Sequence, residues 1–399
     1  MIPAIRLASV SQSRTYEMME LAASMKVLGK NVISLAGGEP DFETPLHIRQ
    51  AAIEAINRGE TRYTAAAGMR TLREAVAKKF RLENGLACDW QRTIVSTGAK
   101  QVIANAFLAT LDPGDEVLIP SPNWVSYPDM ALLCGATPVV VQTTAQNGFK
   151  LQPKQLRASL TKRTKWLVIN SPCNPTGAVY SEDELRGLAN VLLDHPSVLV
   201  LTDDIYEHIV FAPIKFCTIA QVEPRLADRV LTVNGVSKAY AMTGWRIGYA
   251  TGPEDLIREM IKVQGQQTSS ACSISQWAAL AALSGPQDFI ETARSQYTER
   301  RDLVVTAIKA TPHLECASPA GAFYAFISCE AALGRRTGNG LAIKNDEDFV
   351  RRLLEEEGVA LVSGSAFGAK GYVRLSYAAS IPDLTEACIR IRSFFEELH

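Results

Sequence analysis

From Thr93 onward the chain alternates short β-branched runs with helical segments, and that alternation leaves few folds open. Thr93-Ile-Val-Ser-Thr97 reads as a strand, Gly98-Ala-Lys-Gln101 opens a helix reaching residue 111, and Asp112-Pro-Gly-Asp115 turns the chain into a strand at residues 116–119. Runs at 138–141, 166–170, 198–202 and 230–234 repeat the pattern, with a helix behind the capping box Ser181-Glu-Asp-Glu184. The expected class is α/β, a mostly parallel sheet sandwiched by helices. Helices are also expected at 16–28, 45–59 and 72–84, with a short strand at 32–35. After the alternating region come helices at 253–264, 275–283 and 288–309. The last ninety or so residues change character, with strands at 322–328 and 372–376 and helices at 346–357 and 382–398. A chain of 399 residues exceeds the size at which one core stops growing. We therefore expect a large domain over 48–287 and a smaller α+β domain built from 1–47 and 288–399.

Charge and cysteine usage narrow the function. The 41 basic and 42 acidic side chains leave a net charge of −1, which offers no electrostatic footprint for nucleic acid or an anionic membrane. No run approaches the roughly 20 apolar residues of a spanning helix, and residues 1–10 lack a long apolar stretch, so a cytoplasmic protein is expected. Eight cysteines without a Cys-x-x-Cys pair, and five histidines without ligand spacing, point to reduced thiols and to no metal site. No Gly-x-Gly-x-x-Gly follows a strand, which argues against a nicotinamide dehydrogenase.

Chemistry is concentrated in Ser237-Lys238-Ala-Tyr-Ala-Met-Thr-Gly-Trp-Arg246-Ile-Gly248. Lys238 follows the run at 230–234, at the carboxyl end of a strand, where open α/β sheets bind ligands. A lone lysine there is ordinarily a solvated charge. Held on a turn and desolvated, its amine becomes a nucleophile that can form a Schiff base. Arg246 adds a planar fork suited to phosphate, and Gly244 and Gly248 let the backbone approach closely. Glycine between a strand and a helix start, as at Gly98, is an anion site of backbone donors. Asn170-Ser-Pro-Cys-Asn-Pro-Thr-Gly177 fixes Asn174 on a stiff loop, and Thr202-Asp-Asp-Ile-Tyr-Glu207 brings Asp203 or Asp204 to a strand end. Trp124 is either a stacking platform or a core indole. Arg374, in an otherwise apolar strand, needs a carboxylate partner. Gly37-Gly38-Glu-Pro marks a turn, and Tyr63 is either a surface residue or a contact to a partner.

In order and spacing these motifs resemble the class I (fold-type I) pyridoxal phosphate (PLP)-dependent aminotransferases across essentially the whole chain. Gly-Gly-Glu-Pro-Asp-Phe, Gly-Ala-Lys-Gln, Trp-Val-Ser-Tyr-Pro and Ala-Met-Thr-Gly-Trp-Arg-Ile-Gly-Tyr are most similar to bacterial aspartate aminotransferases of the aspartate/prephenate subgroup. The resemblance implies a homodimer with PLP-binding sites between the lobes and across the subunit boundary. Lys238, beside Ser237, would hold PLP and carry the proton. Asp203, better placed than Asp204, would pair with the ring nitrogen, Tyr206 with the ring oxygen, and Arg246 with the phosphate. Gly98, Ala99 and Lys100 would line the phosphate turn, with Tyr63 reaching the partner's phosphate. Gly38, Trp124, Asn174 and Arg374 would hold the substrate's α-carboxylate end. Lys100, helped by Thr15 and by Ser269 or Ser270 of the partner subunit, would face a distal carboxylate. Cys173 departs from the Asn or Ser usual in its loop. Relatives that use prephenate often carry a lysine where this chain has Ser11, so aspartate with 2-oxoglutarate, giving oxaloacetate and glutamate, is expected ahead of prephenate. The alternatives are a prephenate or aromatic aminotransferase, a PLP lyase or decarboxylase, and a ligand sensor without turnover. The sensor is disfavoured by the lack of a basic helix-turn-helix segment.

Overall fold

The computed structural model describes residues 4–10 and 12–399. Thirteen strands and thirteen helices are named here in chain order. The amino-terminal part holds α1 (Arg14–Val27), β1 (Ile33–Ser34), α2 (Leu46–Asn57) and α3 (Arg70–Asn84). The alternating region runs β2 (Thr93–Ser96), α4 (Ala99–Thr110), β3 (Glu116–Ser121), α5 (Ser126–Leu133), β4 (Thr137–Gln142), α6 (Pro153–Ser159), β5 (Thr164–Asn170), α7 (Glu182–Leu193) and β6 (Leu199–Asp203). Then come α8 (Ile219–Val222), β7 (Val230–Gly235), β8 (Gly248–Thr251), α9 (Glu254–Gln267), α10 (Ser273–Ser284) and α11 (Asp288–Ala310). The chain ends with β9 (Glu315–Cys316), β10 (Tyr324–Ser328), α12 (Asp346–Glu357), β11 (Val359–Ala360), β12 (Val362–Ser363), β13 (Tyr372–Ser376) and α13 (Ile381–Glu396).

Strands β2 to β8 form one seven-stranded sheet in the order β2-β8-β7-β6-β5-β3-β4. Pairs within β7-β6-β5-β3-β4 are parallel, as the crossovers require, whereas β8 runs antiparallel to both β2 and β7. The expected parallel sheet is present, and β8 is the departure from it. Side chains alternate across the sheet: Val117, Ile119, Trp166, Val168 and Leu201 face α4, α5 and α9, while Leu118, Leu167, Ile169 and Val200 face α6 and α7. Burial on both faces explains why these strands read as continuous apolar runs. A third apolar cluster packs α2, α3 and α10 against Val95 and Tyr249 of β2 and β8.

The carboxy-terminal strands form a four-stranded antiparallel sheet, β12-β13-β10-β9, and β1 pairs in parallel with β11. Helices α11, α12 and α13 bury Val304, Ile308, Phe349, Leu353, Ile391 and Phe394 against it. Helix α1 lies on this side through Ala22 and Met25. Among the described residues no helix is long and apolar enough to cross a membrane.

Candidate active site

The carboxyl ends of β5, β6 and β7 open into one cavity of about 470 Å³, closed on its far side by Tyr324 of β10 and Arg374 of β13. Lys238 stands three residues past β7 and is buried among the rings of Tyr206 and Phe323, with its Nζ donating to the Gly38 carbonyl at 2.5 Å. Burial lowers its ammonium pKa to about 8, reinforced by the Arg374 and Arg246 charges and opposed by Glu39 and Asp203.

Asp203 ends β6 inside the cavity, where the Tyr127 hydroxyl donates to its Oδ2 at 2.6 Å. Burial pushes the carboxyl up to about 6 against the pull of that bond and of Lys238. Asp204 turns away from the cavity and accepts from Thr202 Oγ1 at 2.6 Å, so the choice between the two acids falls on Asp203. Tyr206 is buried, its hydroxyl 2.8 Å from that of Tyr324, and burial holds its proton well above the ordinary range.

Arg246 adopts a left-handed backbone at φ 56°, which aims its guanidinium across the start of α4. A Cβ on Gly98 would lie 2.2 Å from Arg246 Nη2, so only glycine allows this approach. No side chain caps the amino end of α4, which leaves Ala99 and Lys100 at a helix terminus facing the cavity. Lys100 Nζ lies 4.9 Å over the Trp124 ring, and burial and the Arg246 charge lower its pKa. Trp124 meets Tyr127 edge to face at 5.2 Å and so borders the cavity on one side and the core on the other. Arg374 donates to Asn174 Oδ1 at 2.9 Å and to the Ala36 carbonyl at 2.5 Å, and lies over Tyr324 and Phe367. All these partners are neutral. Gly38, Ser237 and Thr15 also line the cavity.

Tyr63, Ser269 and Ser270 do not line it; Tyr63 is 92% exposed. Ser11 lies outside the described residues. The residues that sequence reading passed over are Tyr127, Asn170, Tyr324 and Glu39. Asn170 donates to the Asp203 carbonyl at 2.8 Å and accepts from the Asn174 amide at 2.8 Å, tying two site loops together. A Cβ on Gly38 would sit 2.6 Å from the Tyr324 hydroxyl, so that glycine and tyrosine fit as a pair. Asn170 and Tyr127 sat inside quoted motifs, but Tyr324 carried no local signal beyond its strand.

The family model for "Aminotransferase class I and II" matches residues 30–391. The chain belongs to that family. It is 54% identical over 388 residues to a probable aspartate/prephenate aminotransferase of Rhizobium leguminosarum bv. phaseoli, covering 97% of each chain. An aspartate aminotransferase of Rhizobium meliloti (strain 1021) is 51% identical over 396 residues, covering 99% of this chain and 97% of that one. Among solved structures, the aspartate aminotransferase from Rhizobium meliloti superposes with a TM-score of 0.97 at 51% identity, covering 100% of both chains. The Thermus thermophilus aspartate aminotransferase with maleate gives 0.93 at 41%, covering 99% of this chain and 100% of that one. The protein is thus an aminotransferase of fold type I, and its cofactor is PLP. Its residues fit that group. A buried acid with a raised pKa faces the cavity, a guanidinium and an uncapped helix start converge on a glycine, and an amine of lowered pKa lies in the same cavity.

Proposed function

We propose that this aminotransferase moves the amino group of L-aspartate to 2-oxoglutarate, yielding oxaloacetate and L-glutamate. One observation carries the reading: beyond Lys238 and Arg246, the cations Lys100 and Arg374 border the same cavity, so a substrate with two carboxylates can engage both. The buried Arg374 charge is costly without a counter-charge, and a dicarboxylate supplies one to it while its second carboxylate meets Lys100. The neighbour from Thermus thermophilus, solved with the dicarboxylate maleate, supports the same choice.

Bound PLP supplies the electron sink that stabilises negative charge at the substrate's α-carbon. Lys238 would hold the cofactor and would take the α-proton on Nζ; its pKa, lowered to about 8, leaves a useful fraction of free base at neutral pH. Asp203, kept in place by Tyr127, would hold the proton on the ring nitrogen, and Tyr206 would donate to the ring oxygen. Arg246 and the α4 terminus, with Ser237, would grip the phosphate. Arg374, with Asn174 and Gly38, would orient the α-carboxylate. Trp124 would lie against the cofactor ring and exclude water. Lys100 and Thr15 receive the distal carboxylate.

The reading extends to a cytoplasmic homodimer divided into lobes of 48–287 and of 1–47 with 288–399. Eight free cysteines suit a reducing compartment. The exposed Leu46, Ile53 and Ile56 on α2 offer apolar surface for a second copy, and the exposed Tyr63 offers a side chain to its site. Prephenate is the second reading, favoured by the name of the Rhizobium leguminosarum relative and by its own two carboxylates. The test is the donor profile of wild type and Lys100→Ala. The substitution should cost about 2–4 kcal/mol in kcat/KM for aspartate while sparing alanine. Equal losses would assign Lys100 to the cofactor, and a wild-type preference for aromatic donors would overturn the substrate.

A further inference from the structure

Outside the cavity lining, α3 and the turn after β6 share a charged cluster that the chemistry above does not use. The Lys79 and Glu207 side chains are 2% and 3% exposed and in direct ionic contact. Asn84 bridges them, accepting from Lys79 Nζ at 2.7 Å and donating to Glu207 Oε2 at 2.7 Å. At the rim His208 Nε2 meets Glu83 Oε2 at 2.9 Å, its Nδ1 lies 3.6 Å from Glu207 Oε1, and Lys79 Nζ lies 3.6 Å from Glu83. The His208 ring also packs on Tyr240, two residues past Lys238, and the Tyr240 hydroxyl donates to Gln287 at 2.8 Å.

The cluster reaches the site through a very short lever. Glu207 follows Tyr206 directly, within a turn closed by Glu207 N–H to the Asp204 carbonyl at 2.9 Å and Ile209 N–H to the Tyr206 carbonyl at 2.8 Å. Asp203 ends the strand that leads into this turn and Tyr206 stands on it, and the next side chain is clamped to α3. A buried ion pair contributes little net stability over an apolar pair of similar shape, so stability alone is a poor reason for this one. What such a pair does well is fix one register between two elements.

We infer that Lys79, Asn84 and Glu207 are positioning residues that hold the Asp203–Tyr206 turn, and with it the Tyr206 hydroxyl, at the cofactor. The inference rests on the reading of Tyr206 as donor to the cofactor's ring oxygen. A donor there favours the anionic oxygen, so a displaced Tyr206 should move the pH midpoint of the bound cofactor's visible band upward.

The test compares that midpoint in cofactor-saturated wild type, Tyr206→Phe, Glu207→Gln, the double variant Lys79→Met/Glu207→Leu, and each Glu207 variant combined with Tyr206→Phe. The double variant removes both charges together and leaves none unpaired, and Glu207→Gln keeps the side chain's shape. We expect an upward midpoint shift of about one pH unit in the Glu207 variants and a kcat lower on the order of tenfold with KM little changed. In the Tyr206→Phe background the Glu207 substitutions should add no further shift, because they act through the same hydroxyl. A shift in Tyr206→Phe with wild-type midpoints in both Glu207 variants overturns the positioning role alone. Additive shifts in the combined variants overturn it too. An unmoved midpoint in Tyr206→Phe fails the reading of Tyr206 and the inference with it.

Discussion

Lys238 can act as a base near neutral pH because burial, more than any neighbouring charge, brings its ammonium down to about 8. Lys238→Ala should fold, still take up PLP, and lose turnover on the order of a thousandfold or more, since holder and proton carrier vanish together. Absorbance of the purified variant and its steady-state rate check this, and near-normal activity would contradict it. The neighbouring acids differ in what they face. Asp203 sees the cavity, whereas Asp204 is shut in with Thr202, and burial pushes its carboxyl up to about 8. In the unfolded chain the same group titrates near ~3.9. Between those values the folded chain keeps a proton that the unfolded chain has lost, so stability falls as pH rises through the window. Asp204→Asn removes that titration. Its melting temperature relative to wild type should climb between about pH 5 and about pH 8. A difference that is constant across that range would show Asp204 to be ionised in the fold throughout.

The start of α4 was legible because glycine between a β-branched strand and a helix has few other uses. Its geometry makes the dependence sharp: a Cβ on Gly98 would collide with Arg246, and one on Gly248 would lie 2.1 Å from the Ala99 amide nitrogen. Gly98→Ala should therefore weaken PLP binding roughly 10- to 100-fold, read by equilibrium titration of the cofactor, with a smaller change in melting temperature. Unchanged affinity would mean that Arg246 does not meet the phosphate there. Strand β8 was not legible. Its four residues, Gly-Tyr-Ala-Thr, carry too weak a β pattern beside the Trp-Arg-Ile-Gly motif, and its antiparallel direction is set by a short return rather than by a helical crossover. Helix α5 was also hidden, being eight residues long, without a side-chain cap and with Pro128 in its first turn. Tyr127 rides on that helix, so its bond to Asp203 followed from tertiary packing and not from local pattern.

Across the whole molecule, the site joins residues as far apart as Ala36 and Arg374, and the order of motifs foretold that convergence better than any one motif did. The contribution of Tyr324 on β10 went unread because an apolar strand gives no hint of which face meets a cavity. Tyr63 is 92% exposed, and the proposed homodimer would bring it to the phosphate of the partner's site. Mixing Tyr63→Ala and Lys238→Ala chains tests this directly. If Tyr63 acts across the interface, each hybrid dimer regains one intact site, and an equal mixture should recover about a quarter of wild-type activity. No recovery would place Tyr63 in its own chain's site, and full activity of Tyr63→Ala alone would place it outside catalysis. The central claim, transamination between dicarboxylic partners, is tested most directly by product balance with L-aspartate and 2-oxoglutarate. The account expects oxaloacetate and glutamate in equal amounts, with neither ammonia nor carbon dioxide released by the enzyme. Ammonia or carbon dioxide appearing without glutamate would contradict it and identify a lyase or decarboxylase on this fold.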